Sequence, residues 1–278
     1  MTVLTIALLT LQEAVRRRVL RSLVVMTVVL LTLSAWGFHR LDAEFGTLTS
    51  GEALIAAATV LNLVMFGLSL IAALGTAFLA GPTLSGEIES GILLAVMTRP
   101  IRRSSVLVGK WLGLVAFGSG FVVVAGLGQL LIVRLTVGYW PPQPAVGLGL
   151  LAAQTTVLLT LGLLLSTVIS PMASGIVSVG LFGATWIAGV VGVVGEALGN
   201  PGVAQVGTVS RMVLPTDGLW RGAMHAFQDP GLLSNFPTFE ASPFLSEAPL
   251  TVTYLAWTAL WVGLVLGLAG LAFQRRDL

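Results

Sequence analysis

Long uncharged apolar runs alternate along the chain with short breaks of charge or proline, and the alternation predicts the elements. A helix needs about 20 apolar residues to cross ~30 Å of hydrocarbon. The runs from Ser22 to Phe38, Ala53 to Gly86 and Trp111 to Val133 each hold one crossing. The run from Leu135 to Gly195 is too long for one. Pro141, Pro142, Pro144 and Pro171 divide it in two, because proline interrupts a helix. Ala248 to Gln274 holds the last crossing. The pattern predicts an all-α, polytopic membrane protein with six transmembrane helices, over about residues 20–38, 54–80, 109–134, 146–169, 173–195 and 251–273. With no residue repeat and no flexible linker, residues 1–278 read as one transmembrane domain.

Six crossings put both ends on one side, and the basic residues say which. That side carries ten, Arg16, Arg17, Arg18, Arg21, Arg99, Arg102, Arg103, Lys110, Arg275 and Arg276, against Arg40, Arg134, Arg211 and Arg221 on the other. Basic residues resist translocation, so the termini are expected in the cytoplasm. The first residues are not patterned as a signal peptide, whose charges precede its apolar stretch; here the arginines follow it. Leu4, Leu8, Leu11 and Val15 recur at helical spacing opposite Thr5, Gln12, Glu13 and Arg16, which predicts an interfacial helix over about residues 2–18. Glu13 and Arg17 form an i, i+4 pair in the favourable order.

Composition narrows the function classes. At 56% hydrophobic and 9% charged, with a mean hydropathy of +0.98, the chain cannot cover a water-facing surface, which excludes a soluble enzyme. No cysteine is present, so disulfides, thiolate metal sites and cysteine nucleophiles are excluded. No basic, aromatic soluble face offers itself to nucleic acid. Neither a His-Glu-x-x-His nor a Gly-x-Ser-x-Gly pattern occurs, and the two histidines, His39 and His225, suit an interface better than a metal. No catalytic, cofactor-binding or metal residue is expected. The spans carry no ionisable residue at mid-depth, so ion coupling is not expected. Asn62, Gln129 and Gln154 are the polar positions inside them, either interhelical ties or candidate pathway lining.

Two segments between spans are long enough to act. On the cytoplasmic side, Thr83 or Ser85 is placed to cap a short helix headed by Glu87 and Glu89 and stopped by Pro100, with Ile88, Ile92, Leu93, Val96 and Met97 on one face. On the external side, about 196–250, six prolines predict mostly irregular chain. Within it, Thr216 or Asp217 is expected to cap a helix lying flat at the outer surface. Leu219, Trp220, Ala223, Met224 and Phe227 fall on one side and Arg221, His225 and Gln228 on the other. That segment is a candidate lid over the exit or dock for an external partner protein, with a simple packed loop as the equal alternative. Small residues at four-residue spacing favour close packing in lipid, and predict tight contacts at Ala259, Gly263 and Gly267 and at Ser174, Gly175, Ser178, Gly183 and Ala184.

The N-terminal helix ending in Arg16-Arg17-Arg18, the six spans, the pattern Glu87-x-Glu89-x-Gly91 followed by Leu94, Pro100, Arg103, Gly109 and Lys110, and the tail Arg275-Arg276-Asp277-Leu278 together resemble the ABC-2 type permeases, membrane subunits of ATP-driven exporters. The resemblance covers essentially the whole chain. Ile92-Leu93 stands where the family commonly has Thr-Leu. In size and layout the chain is similar to the short permeases typified by the membrane subunit of the nitrous-oxide-reductase maturation transporter.

The resemblance implies a bacterial-type inner-membrane protein whose two copies form the pathway, chiefly along the first, second and fifth spans. It implies a coupling helix (Glu87, Glu89, Gly91, Leu94, Pro100, Arg103) that meets separate ABC ATPase subunits, with ATP and magnesium held there and none here. It also suggests Ser174, Ser178 and Gly183 as dimer packing, and lipid as the remaining neighbour. The chain has no Gly-x4-Gly-Lys-Ser/Thr; Ser104 stands where that motif would place its first glycine before Gly109-Lys110. The rival class is a membrane assembly or scaffold protein that binds partners without transporting.

Overall fold

A computed structural model describes residues 3–45, 51–91, 102–229, 244–246 and 248–275. These form nine helices and no strand: α1 (Val3–Arg16), α2 (Arg18–Phe45), α3 (Gly51–Glu89), α4 (Arg103–Val137), α5 (Pro144–Val168), α6 (Pro171–Ala197), α7 (Pro201–Val213), α8 (Thr216–Phe227) and α9 (Val252–Arg275). Six of them, α2 to α6 and α9, are long and apolar enough to cross a membrane. The prolines read as dividers do divide: α5 starts on Pro144 and α6 on Pro171, where the missing N–H costs nothing. The spans alternate in direction. Their near end carries α1, the end of α3, the start of α4 and the end of α9, while the far end carries the α2–α3 and α4–α5 connections and the start of α9.

Span α3 has 39 residues, about 58 Å at 1.5 Å per residue, so it outruns the hydrocarbon by several turns. Here the structure corrects the expected break. No new helix starts at Thr83 or Ser85; α3 continues through Pro82 to Glu89. Both hydroxyls turn back along the helix, Thr83 to the Leu79 carbonyl and Ser85 to the Gly81 carbonyl at 2.7 Å, instead of capping. Gly91, with φ of 71°, sits in the left-handed region where glycine is favoured. Leu94 and Pro100, with Ile92, Leu93, Val96 and Met97, lie outside the described residues.

Helix α1 is present with its Glu13–Arg17 pair, and it is seated on the bundle by residues beside its leucine stripe, which stays outward. Ile6, Ala7, Thr10 and Ala14 are buried against the start of α4, while Leu4, Leu8 and Val15 point outward. The reason is close approach. A Cβ on Gly113 would stand 2.5 Å from the Ala7 carbonyl oxygen, and one on Gly109 2.7 Å from Ile6 Cβ, so small residues form the contact and the leucines are left for hydrocarbon.

The small-sided stripes also sort differently. Ser174 and Ser178 are buried inside the protomer, beside Gly81 of α3 and Gly162 of α5, and so have no surface to give to a seam between copies. Gly183 is half-exposed with open space around it, and Ala259, Gly263 and Gly267 face outward, away from the rest of the protomer.

The largest departure is the segment after α6. Pro201 and Pro215, read as breakers, stand at helix starts: Pro201 is the first residue of α7, and Pro215 immediately precedes α8. Asn200 caps α7 by accepting from the N–H groups of Gly202 and Val203. Helix α7 folds back along α6 so closely that a Cβ on Gly192 would stand 2.7 Å from Gly207 Cα. Helix α8 then enters the bundle instead of lying flat on a surface. Ten of its twelve residues are buried, with Trp220 1% exposed, and Phe227 fills the space beside Gly147 of α5. Neither Thr216 nor Asp217 caps it; both side chains bond elsewhere.

The carbonyls left open at the ends of α7 and α8 are met from outside them. Tyr254, Trp257 and Trp261, along one stripe of α9, donate to the carbonyls of Arg211, Met212 and Val213 at 3.0, 3.2 and 2.8 Å. Tyr139 donates to the Phe227 carbonyl at 2.8 Å; burial, with Asp229 nearby, pushes its phenol well above the ordinary value and keeps the donor proton in place. Trp261→Phe keeps an aromatic ring and removes the donor. It is expected to cost about 0.5–1.5 kcal/mol, the net worth of a typical intramolecular hydrogen bond, read as a lower unfolding temperature in detergent. An unchanged midpoint would show that Val213 finds another donor.

Candidate functional site

At the near end three elements converge on the start of α4. Lys110, the only lysine of the chain, is 6% exposed and donates to the Thr83 carbonyl at 3.1 Å and to the Glu87 carboxylate. Arg103 donates to the carbonyls of Phe273 and Gln274 at 3.3 and 3.2 Å, which satisfies open acceptors at the end of α9. On the same turns, Gly109 and Gly113 seat α1. Glu87 therefore has an intramolecular partner, a lysine of α4, whereas Glu89 is exposed. Of the residues proposed from sequence for coupling, Glu87, Glu89, Gly91 and Arg103 gather here, at the two edges of the connection between α3 and α4.

The polar positions inside the spans are ties. Asn62, Gln129 and Gln154 are 0%, 1% and 3% exposed. Asn62 donates to the Phe244 carbonyl at 2.8 Å, and Gln129 to the Ser34 hydroxyl at 2.7 Å. Gln154 accepts from Ser69 at 2.7 Å and donates to the Thr216 carbonyl at 3.2 Å, joining α3, α5 and α8. None of the three walls the main groove. That groove, about 610 Å³ and apolar, lies between α3 and α6 and is lined by residues such as Phe78, Pro82, Met172 and Ile176.

The sequence reading missed a charge cluster. Asp217 is buried, with Arg211 Nε at 3.1 Å and Arg221 Nε at 2.9 Å from its Oδ2. It lies against Gly189, eight residues before the end of α6 and so about 12 Å in from that end. The expectation of no ionisable group at mid-depth concerned the spans, and Asp217 is not on one of them. The group comes from a segment that was placed outside, carried in by the turn from α7 to α8. Around it, Trp220 packs on Phe66 of α3, which stacks on Trp186 of α6 at 4.6 Å between ring centroids. His225 and Gln228, expected on an exposed face, both meet the carbonyl of Ser246. The one usable signal was Asp217 and Arg221 at i, i+4; Arg211 comes from the neighbouring helix.

A family model described as ABC-2 family transporter protein matches residues 4–278. The chain belongs to this ABC-2 transporter family. Comparison with curated proteins gives no match. An ABC-2 permease is a membrane transport component of an ABC transporter and not itself the catalyst, and the family implies association with ABC ATPase subunits. In this ABC-2 permease the near-end cluster borders the segment between the second and third spans, and the apolar groove runs between the second and fifth.

Proposed function

We propose that this chain is the transmembrane half of an ATP-driven exporter in a bacterial-type inner membrane. Its termini are cytoplasmic, and it works as two copies docked on separate ATPase subunits that hold ATP and magnesium. The observation that carries the reading is the near-end cluster: the end of α3 is fastened to the start of α4 by Lys110, so the connection between them has a firm base for a partner to push on. Glu89 is exposed at the edge of that connection and is the carboxylate we assign to a basic residue of the ATPase. The apolar groove between α3 and α6 supports a pathway along the second and fifth spans, and the seam between copies falls to outward positions such as Gly183. Size and layout favour the short permeases of the family.

Expressed with an ATPase encoded beside it, the chain should co-purify with that subunit and support ATP hydrolysis. Glu89→Lys should insert normally and retain about tenfold less ATPase, as a charge reversal at an interface rim does. If no nucleotide-hydrolysing partner binds the wild-type chain, the scaffold reading replaces this one. Full ATPase retention by Glu89→Lys would remove Glu89 from the contact.

A further inference from the structure

The second span and its own end are joined weakly. Pro82 has no N–H, so the Phe78 carbonyl lacks its i+4 donor, and Thr83 and Ser85 turn their hydroxyls onto the next carbonyls, an arrangement that bends helices. Just before this proline, Gly81 rests on α6: a Cβ there would stand 2.5 Å from the Pro171 carbonyl oxygen. On another side, Phe78 and Pro82 border the open groove. The span therefore has a weak point, a fulcrum beside it and an apolar groove next to it.

Beyond the weak point, residues 83–89 are held by another helix. Lys110 takes both the Thr83 carbonyl and the Glu87 carboxylate, one turn apart, in a site from which water is nearly excluded. The same stretch of α4 carries α1 on Gly109 and Gly113 and the end of α9 on Arg103.

We infer that Lys110 is a positioning residue that latches the end of α3 to α4, so that this end moves with α1, α4 and the end of α9 as one body, hinged at Pro82 against the rest of the second span. Motion entering at the α3–α4 connection then reaches the first and last helices through α4 and turns on the Gly81–Pro171 contact. This deepens the coupling role proposed above and rests on that reading for its purpose, though not for its test.

The chain lacks cysteine, so spin labels at Ser90 and Gln12, both exposed, report the α3 end against α1 without background substitutions. In the purified full chain in lipid nanodiscs, the Ser90–Gln12 distance distribution should be narrow. Lys110→Met should broaden it at least twofold. Adding Pro82→Ala to Lys110→Met should narrow it again, because the restored N–H stiffens the hinge. If Lys110→Met fails to insert, Glu87→Gln tests the same latch. An unchanged width in the latch variants, or a broad one that Pro82→Ala does not narrow, overturns the inference. None of these readings needs an ATPase, so a missing partner would sink the permease coupling and leave the latch standing.

Discussion

Asp217→Ala should destabilise the protein by about 3–5 kcal/mol, the loss found when one partner of a buried ion pair is removed. The carboxylate has no exposed surface, and its Oδ2 holds Arg211 and Arg221 at 3.1 and 2.9 Å. Their side chains are only 24% and 12% exposed, so the variant leaves two guanidinium groups facing each other in a largely dry site. Asp217→Asn, which keeps the size and part of the hydrogen bonding, should lose less. Thermal unfolding of the full chain in detergent, followed by tryptophan fluorescence, measures both. A midpoint within a degree or two of wild type for Asp217→Ala would mean that the arginines reach water by a route the packing of α7 and α8 does not provide.

Gly192→Leu should be comparably damaging for a different reason. Any Cβ at this position meets Gly207 Cα at 2.7 Å and Gly207 N at 3.1 Å, and backbone atoms cannot rotate away as a side-chain tip can. Overpacking costs about 1–3 kcal/mol even where side chains can adjust. Here the whole of α7 must move off α6, which strains the bonds from α9 to its last carbonyls and the contact of Arg211 with Asp217. Gly192→Ala should show a smaller loss of the same kind. The two large effects should also fail to add. Once leucine has displaced α7, Arg211 no longer depends on Asp217, so the double variant should be more stable than the sum of the two losses predicts. Strict additivity would show that α7 and α8 respond independently.

How much of this was legible beforehand differs from residue to residue. The crossings read over about 109–134 and 146–169 were legible because span length is a property of contiguous residues. The Glu13–Arg17 pair was readable because both partners sit on one helix. Pro201 and Pro215 misled because a proline marks a helix boundary without saying whether the helix ends there or starts. Thr83 and Ser85 misled because a hydroxyl that caps a helix also bonds back to its own turn, and only the path of the chain decides which. Ser174 and Ser178 were correctly read as small packing positions, yet their neighbours turned out to be α3 and α5 of the same chain.

By itself, then, the sequence determined that this protein is a bundle of six apolar helices with an amphipathic helix before them, since the free energy of moving a run into hydrocarbon is a sum over neighbouring residues. It also carried the resemblance to the ABC-2 permeases, the family whose model matches residues 4–278. Only the tertiary structure decided which faces meet, that α8 lies inside the bundle, and that Glu87 belongs to Lys110. Those outcomes turn on approaches such as Gly189 to Asp217, Gly192 to Gly207 and Gly147 to Phe227, between residues far apart in the chain. In a chain apolar on nearly every face, hydrophobic periodicity does not choose among such contacts; backbone clearance and the need of each buried polar group for a partner do.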